Sequence, residues 1–99
     1  EVVAAHLGGY RAQDEALEYL AGHENVWYDS SSALWYLEPA RAAEIIRRLG
    51  ADRVMFGTDY PVKNPATELA LFHRLPLSDA EREDILWNNA ARFLHLDEA

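Results

Sequence analysis

Arg53-Val54-Met55-Phe56-Gly57-Thr58-Asp59-Tyr60-Pro61 is the stretch that sets the reading of this chain. An apolar run ends in a carboxylate inside a Thr-Asp-Tyr-Pro turn. The chain opens in the same way. Val2-Val3-Ala4-Ala5, too short for a helix, runs into His6, and Gly8-Gly9 ends the run. Between them Asn25-Val26-Trp27-Tyr28, rich in β-formers, runs into Asp29 and the serines Ser30, Ser31 and Ser32. In parallel α/β folds the carboxyl ends of the strands carry the chemistry. A histidine and an aspartate at two such ends read as members of one catalytic centre.

Helical segments separate the runs. Ala12–Ala21 puts Ala16, Leu17 and Leu20 on one face, with acids opposite, and Gly22 stops it. Pro39 suits a first helical position, and Ala40–Leu49 continues to Gly50. Asn64-Pro65 reads as an N-cap with proline at N1, opening a helix to about Leu75. Ser78-Asp79-Ala80-Glu81 is a capping box for a helix from Asp79 to about Asn88, and Ala90–Leu94 is expected to add a last turn that packs Phe93 and Leu94.

The order β-α-β-α-β-α-α predicts parallel strands joined by right-handed crossovers. The spacing of successive strand ends fits the repeat of an eight-unit barrel of about 250 residues. Residues 1–99 are therefore read as a single partial domain of α/β class, the C-terminal arc of a (β/α)₈ barrel. Three lone units are expected to leave one sheet face and both sheet edges bare. Glu1 leads almost directly into a strand, so the chain is expected to be a piece of a longer one.

Composition narrows the partners. The net charge is −8 and the chain shows no basic patch, which argues against nucleic acid. Arg47-Arg48, on a helix, is expected to be solvated. With no cysteine, disulfides and thiolate metal sites are excluded. No apolar run approaches the roughly 18 residues of a membrane span, and no signal peptide is visible. A small-molecule substrate, no membrane partner and a cytoplasmic location are the expectations.

Four strings, in order, carry a family resemblance: Ala5-His6-Leu7-Gly8-Gly9, Asn25-Val26-Trp27-Tyr28-Asp29-Ser30-Ser31, Leu49-Gly50-Ala51-Asp52-Arg53-Val54-Met55-Phe56-Gly57-Thr58-Asp59-Tyr60-Pro61, and Asn88-Asn89-Ala90-Ala91-Arg92-Phe93-Leu94. The chain resembles the C-terminal part of the amidohydrolase-related, metal-dependent hydrolases, the group that includes the aminocarboxymuconate-semialdehyde-type decarboxylases. The resemblance implies strands six to eight of a (β/α)₈ barrel with one or two divalent ions, zinc being the expected metal. It implies that Asp59 is a metal ligand and proton shuttle. It implies that His6 is a ligand or the acid/base that steers bound water. The family's first-strand His-x-His pair and fifth-strand histidine are absent. This chain is therefore expected not to complete the metal site alone, and to need the N-terminal part of the barrel or another copy of the chain.

Each residue also has a plainer reading. Asp59 can cap its turn, and His6 can sit as a satisfied rim histidine. The strand-end position and the family strings favour the site role for both. Arg11, Trp35 and Tyr60 are the substrate-binding candidates, with Lys63 beside them, since Arg11 or Lys63 suits a substrate carboxylate. Asp29 and the three serines read as a polar loop at least as well as a substrate contact. His23 is read as structural, His73 and His95 as surface residues, and Trp87 as core. The leading expectation is a hydrolase in which metal-activated water attacks an amide, ester or lactone. Non-oxidative decarboxylation in the same site is the close alternative. An inactive fragment or self-assembling half-barrel is the non-enzymatic one. A receiver-like phosphoacceptor fits less well, because the acidic pair and the later lysine of that pattern are missing.

Overall fold

A computed structural model describes residues 1–96. Strands β1 (Val2–Ala4), β2 (Val26–Asp29) and β3 (Val54–Met55) form a parallel sheet in the order β1-β2-β3. Val3 pairs with Trp27, and Asp29 with Met55. Helices α1 (Gln13–Tyr19) and α2 (Pro39–Leu49) follow β1 and β2. After β3 come α3 (Pro65–His73), α4 (Asp79–Glu83), a π-helical turn (Asp84–Asn88) and α5 (Asn89–Phe93). The elements match the expected order, with ends shifted by a residue or two where helices fray. Helix α1 is the most shortened: Leu20 and Ala21 both donate to the Ala16 carbonyl, and Gly22 turns the chain at φ 90°.

Alternation along the strands divides the sheet. Tyr28 and Val54 point into the core formed with Ala42, Ile45, Ile46 and Leu49 of α2, Phe72 of α3, and Leu75, Leu77 and Ile85. Trp27 points the other way. Its ring meets Phe93 edge-on at 5.3 Å and lies under the Arg53 and Arg92 guanidinium groups, and its indole N–H donates to Glu1. The face expected to be bare is thus partly covered, although Val2 and Val3 remain exposed.

The outer edge of β3 is covered as well, against expectation. The Phe56 N–H donates to the Ile85 carbonyl at 2.9 Å. The buried Asn89 side chain donates to the Val54 and Ala51 carbonyls at 2.7 Å, and Arg92 donates to Asn89 Oδ1. The widened turn at Asp84–Asn88 accompanies this use of a helix carbonyl by the strand. Two packing expectations fail in the same region. Trp87 is 60% exposed and Leu94 is 59% exposed, because this helical run presents Ile85, Asn89 and Ala91 to the body of the protein.

The predicted caps are present. Asn64 Oδ1 accepts from the Ala66 and Thr67 N–H groups, and Ser78 with Glu81 closes a capping box. Arg47 is tethered rather than free. Its guanidinium donates to both Glu81 oxygens, at 3.0 and 2.9 Å, and to the Pro76 carbonyl, pinning α2 to α4. The Arg47 hydrogen bonds, followed by that from the Ser78 backbone, push the Glu81 carboxyl down to about 2. A depressed folded-state value stabilises the fold above the ordinary 4.5, and that contribution is lost as pH falls towards about 2. Glu81→Gln is expected to cost about 1 kcal/mol at neutral pH, and its penalty should vanish through that acid window. Melting temperatures of the two proteins across the window check this.

Candidate active site

The parallel register brings three strand exits to one side. His6 leaves β1, Asp29 ends β2 and Asp59 leaves β3. His6, Ser32 and Asp59 line one cleft of about 250 Å³ together with Tyr10, Trp35 and Lys63. The backbone here is unusual. His6 (φ 59°), Ser32 (φ 56°) and Asp59 (φ 63°) all adopt left-handed conformations, each in a different strand-exit loop. Non-glycine residues pay roughly 1–3 kcal/mol for such geometry, and they concentrate where function demands an orientation. Leu7 continues the left-handed turn at φ 52° and is fully buried, and Gly8 follows at φ 99°. A Cβ at Gly8 would overlap the Ala16 Cβ, so α1 can pack behind His6 only with glycine there.

Hydrogen bonds fix the histidine. His6 Nδ1 lies 2.7 Å from the Ser31 carbonyl oxygen, which can only accept, so Nδ1 carries the proton of the neutral ring and Nε2 the lone pair. The buried Gln13 Nε2 lies within 2.9 Å of the His6 and Gly9 carbonyls and of Tyr36 Oη, its two N–H groups shared among the three acceptors, joining the β1 exit to the loop after β2. Asp59 Oδ2 accepts from Ser32 Oγ at 3.0 Å, and the Asp59 carbonyl accepts from the Val62 N–H.

Aromatic rings and cations surround the mouth. Lys63 Nζ stands 4.8 Å from the Trp35 ring centre. The Arg11 guanidinium lies 4.9–5.5 Å from the rings of Tyr10, Trp35 and Tyr36. Behind the cleft, Glu68 on α3 is 1% exposed, and its Oε2 has no hydrogen-bond partner among the described residues. Burial pushes its carboxyl up, opposed by the Lys63 charge and assisted by that of Asp59.

The structure brings His6, Asp59 and Trp35 to one cleft. Arg11 stacks on the aromatic cluster at the mouth, outside the lining. Tyr60 is 74% exposed and lies outside the lining of this cleft. His23, His73 and His95 are exposed. Tyr10 was missed by the sequence reading. Its only signal is its place after Gly8-Gly9, in the loop that His6 opens.

A histidine nitrogen and a carboxylate beside a cleft suit a divalent ion such as zinc or manganese. The free Nε2 of His6, with Nδ1 held by a carbonyl, is the arrangement that metal-binding histidines adopt. Among the described residues no group of three or more His, Asp or Glu gathers to hold a metal. No helix among them is long and apolar enough to cross a membrane.

The chain belongs to the amidohydrolase family, whose model matches residues 1–96. It is 35% identical over 65 residues to 2-amino-3-carboxymuconate-6-semialdehyde decarboxylase of Caenorhabditis elegans, a match covering 62% of this chain and 16% of the relative. It is 35% identical over 54 residues to gamma-resorcylate decarboxylase of a Polaromonas species, covering 54% of this chain and 17% of the relative. Among solved structures it superposes on a dihydroxybenzoic acid decarboxylase from Polaromonas, crystallised with manganese and 2-nitroresorcinol. There the TM-score is 0.78 and the identity 22%, over 100% of this chain and 35% of that one. The 2,6-dihydroxybenzoate decarboxylase from Rhizobium gives 0.76 and 22%, over 96% and 34%. The matches thus span about a sixth of the curated relatives and a third of the solved chains. The fold is an arc of the amidohydrolase barrel.

Glu68 offers a test of the electrostatics behind the cleft. A carboxyl raised above its ordinary 4.5 favours the fold while protonated, and that contribution is lost as pH rises through the raised value. Glu68→Gln keeps the shape of the neutral acid. It is expected to match the wild type below pH 4.5 and to melt at a higher temperature at neutral pH, as thermal unfolding at the two pH values will report.

Proposed function

We propose that this chain supplies His6 and Asp59 to the divalent-metal site of a larger barrel enzyme. In this reading the whole protein decarboxylates an aromatic or unsaturated carboxylic acid without oxidation. The single observation that carries the site is the shared cleft of the two residues, each held by a serine from the loop after β2. The reaction type is supported by the two decarboxylases matched at 35% identity. Hydrolysis of an amide, ester or lactone uses the same residues and was the first expectation, and the relatives tip the choice towards decarboxylation.

A bound divalent ion, zinc or manganese, would polarise a substrate oxygen and lower the pKa of bound water. The remaining ligands would come from the part of the barrel outside this chain. His6 Nε2 moves a proton: protonated, it delivers one to the carbon whose bond to the carboxylate breaks, so that a carboxylate and a proton become a C–H bond and CO₂. The Asp59 carboxylate would help hold the ion, and it accepts or returns a proton on its oxygens. Trp35 gives a flat platform for a planar acid, and Lys63 and Arg11 are the cations nearest to meet its carboxylate. The expected partners are this small-molecule acid and the rest of the barrel.

The test is an assay of the full-length protein with aromatic and muconate-type acids beside lactone and amide substrates, before and after chelation. CO₂ release that chelator abolishes and added manganese or zinc restores is the expected result. His6→Ala and Asp59→Asn should each lower kcat/KM by about a hundredfold or more. Turnover of lactones or amides alone would reassign the enzyme as a hydrolase. Activity indifferent to chelator and to both variants would overturn the site.

A further inference from the structure

Asp29 ends the central strand, between the exits that carry His6 and Asp59. Asp29 is half-buried. Oδ1 accepts from the Ser31 N–H at 2.9 Å, from the Ser31 hydroxyl, and from the His6 N–H at 3.3 Å. The Ser31 hydroxyl, having given its proton to Asp29, turns its lone pairs towards His6 Nδ1, 3.2 Å away. The Ser31 carbonyl stands 2.7 Å from the same nitrogen. Both Ser31 acceptors thus depend on the turn that Asp29 closes. Ser31 is 5% exposed, so water does not replace them readily. On the far side a Cβ at Gly57 would come within 3.4 Å of the Asp29 carboxylate, and the Gly57 N–H donates to Ser30 Oγ.

We infer that Asp29, acting through Ser31, is a positioning residue that selects the Nδ1–H tautomer of His6 and so presents the Nε2 lone pair to the cleft. A free histidine ring in water favours the opposite tautomer, with the proton on Nε2. Two acceptors on the Nδ1 side reverse that preference. The inference rests on the proposed role of His6. Its test reads the ring itself, with no metal and no turnover.

Histidine-labelled protein is observed by long-range ¹H–¹⁵N NMR at a pH where the ring is neutral. Wild-type His6 is expected to show a protonated Nδ1 and a lone pair on Nε2. Asp29→Ala should lower the ratio of Nδ1–H to Nε2–H roughly three- to tenfold, the factor that one hydrogen bond of ordinary net strength supplies. Asp29→Asn, which keeps an acceptor at Oδ1, should restore most of the wild-type ratio. A wild-type ring protonated mainly on Nε2 overturns the inference, as does a folded Asp29→Ala protein with an unchanged ratio. If Asp29→Ala does not fold, Ser31→Ala decides: a lowered ratio supports the relay and an unchanged one overturns it. Loss of the tautomer preference would leave metal-dependent activity to be judged separately, so failure here and failure of the proposed function are told apart.

Discussion

The parallel register of three short strands is the constraint on which the site depends. Val3 against Trp27, and Asp29 against Met55, put all three carboxyl ends on one side of the sheet. Strands this short cannot hold that register alone. Helix α2 buries its apolar face on Tyr28 and Val54, and the Asp84–Phe93 segment satisfies the outer edge of β3 through Ile85 and Asn89. A slip of one residue in β3 would turn Val54 away from the core and break the Asn89 bonds together. Stability and site geometry are therefore set by the same contacts.

Much of the fold was legible because local signals agreed with one another. Pro39, Asn64-Pro65 and the Ser78–Glu81 box each start a helix where the sequence says, and glycines at 22 and 50 follow the ends of α1 and α2 with positive φ. What was not legible came from contacts distant in sequence. Nothing local indicates that a helix carbonyl and Asn89 will cover the edge of β3, so that edge was expected to be open. Trp87 was misplaced for a related reason: with the π-helical turn in the run, ordinary helical spacing does not settle which residues face inward.

The site divides in the same way. His6 and Asp59 stand out because each ends an apolar run, and Trp35 because it follows the central strand closely. The left-handed conformations of His6, Ser32 and Asp59 carry almost no sequence signature, since only glycine marks such positions reliably. Asp29 and Ser31 looked like an ordinary polar loop. Their role becomes visible only when the neighbouring strand brings His6 within 2.7 Å of the Ser31 carbonyl. Tyr60, adjacent to Asp59 in sequence, lies outside the lining of this cleft.

The central claim is that Asp59 helps hold a metal in the cleft bounded by Trp35 and Lys63, with His6 Nε2 beside it as the proton donor. Anomalous diffraction from crystals of the full-length protein, measured at the manganese and zinc edges, tests it most directly. The account predicts a peak about 2.0–2.2 Å from an Asp59 carboxylate oxygen, on the side of the cleft that His6 Nε2 faces, with the other ligands supplied from outside this chain. A metal peak bound elsewhere in the barrel, with both side chains out of its reach, would contradict it.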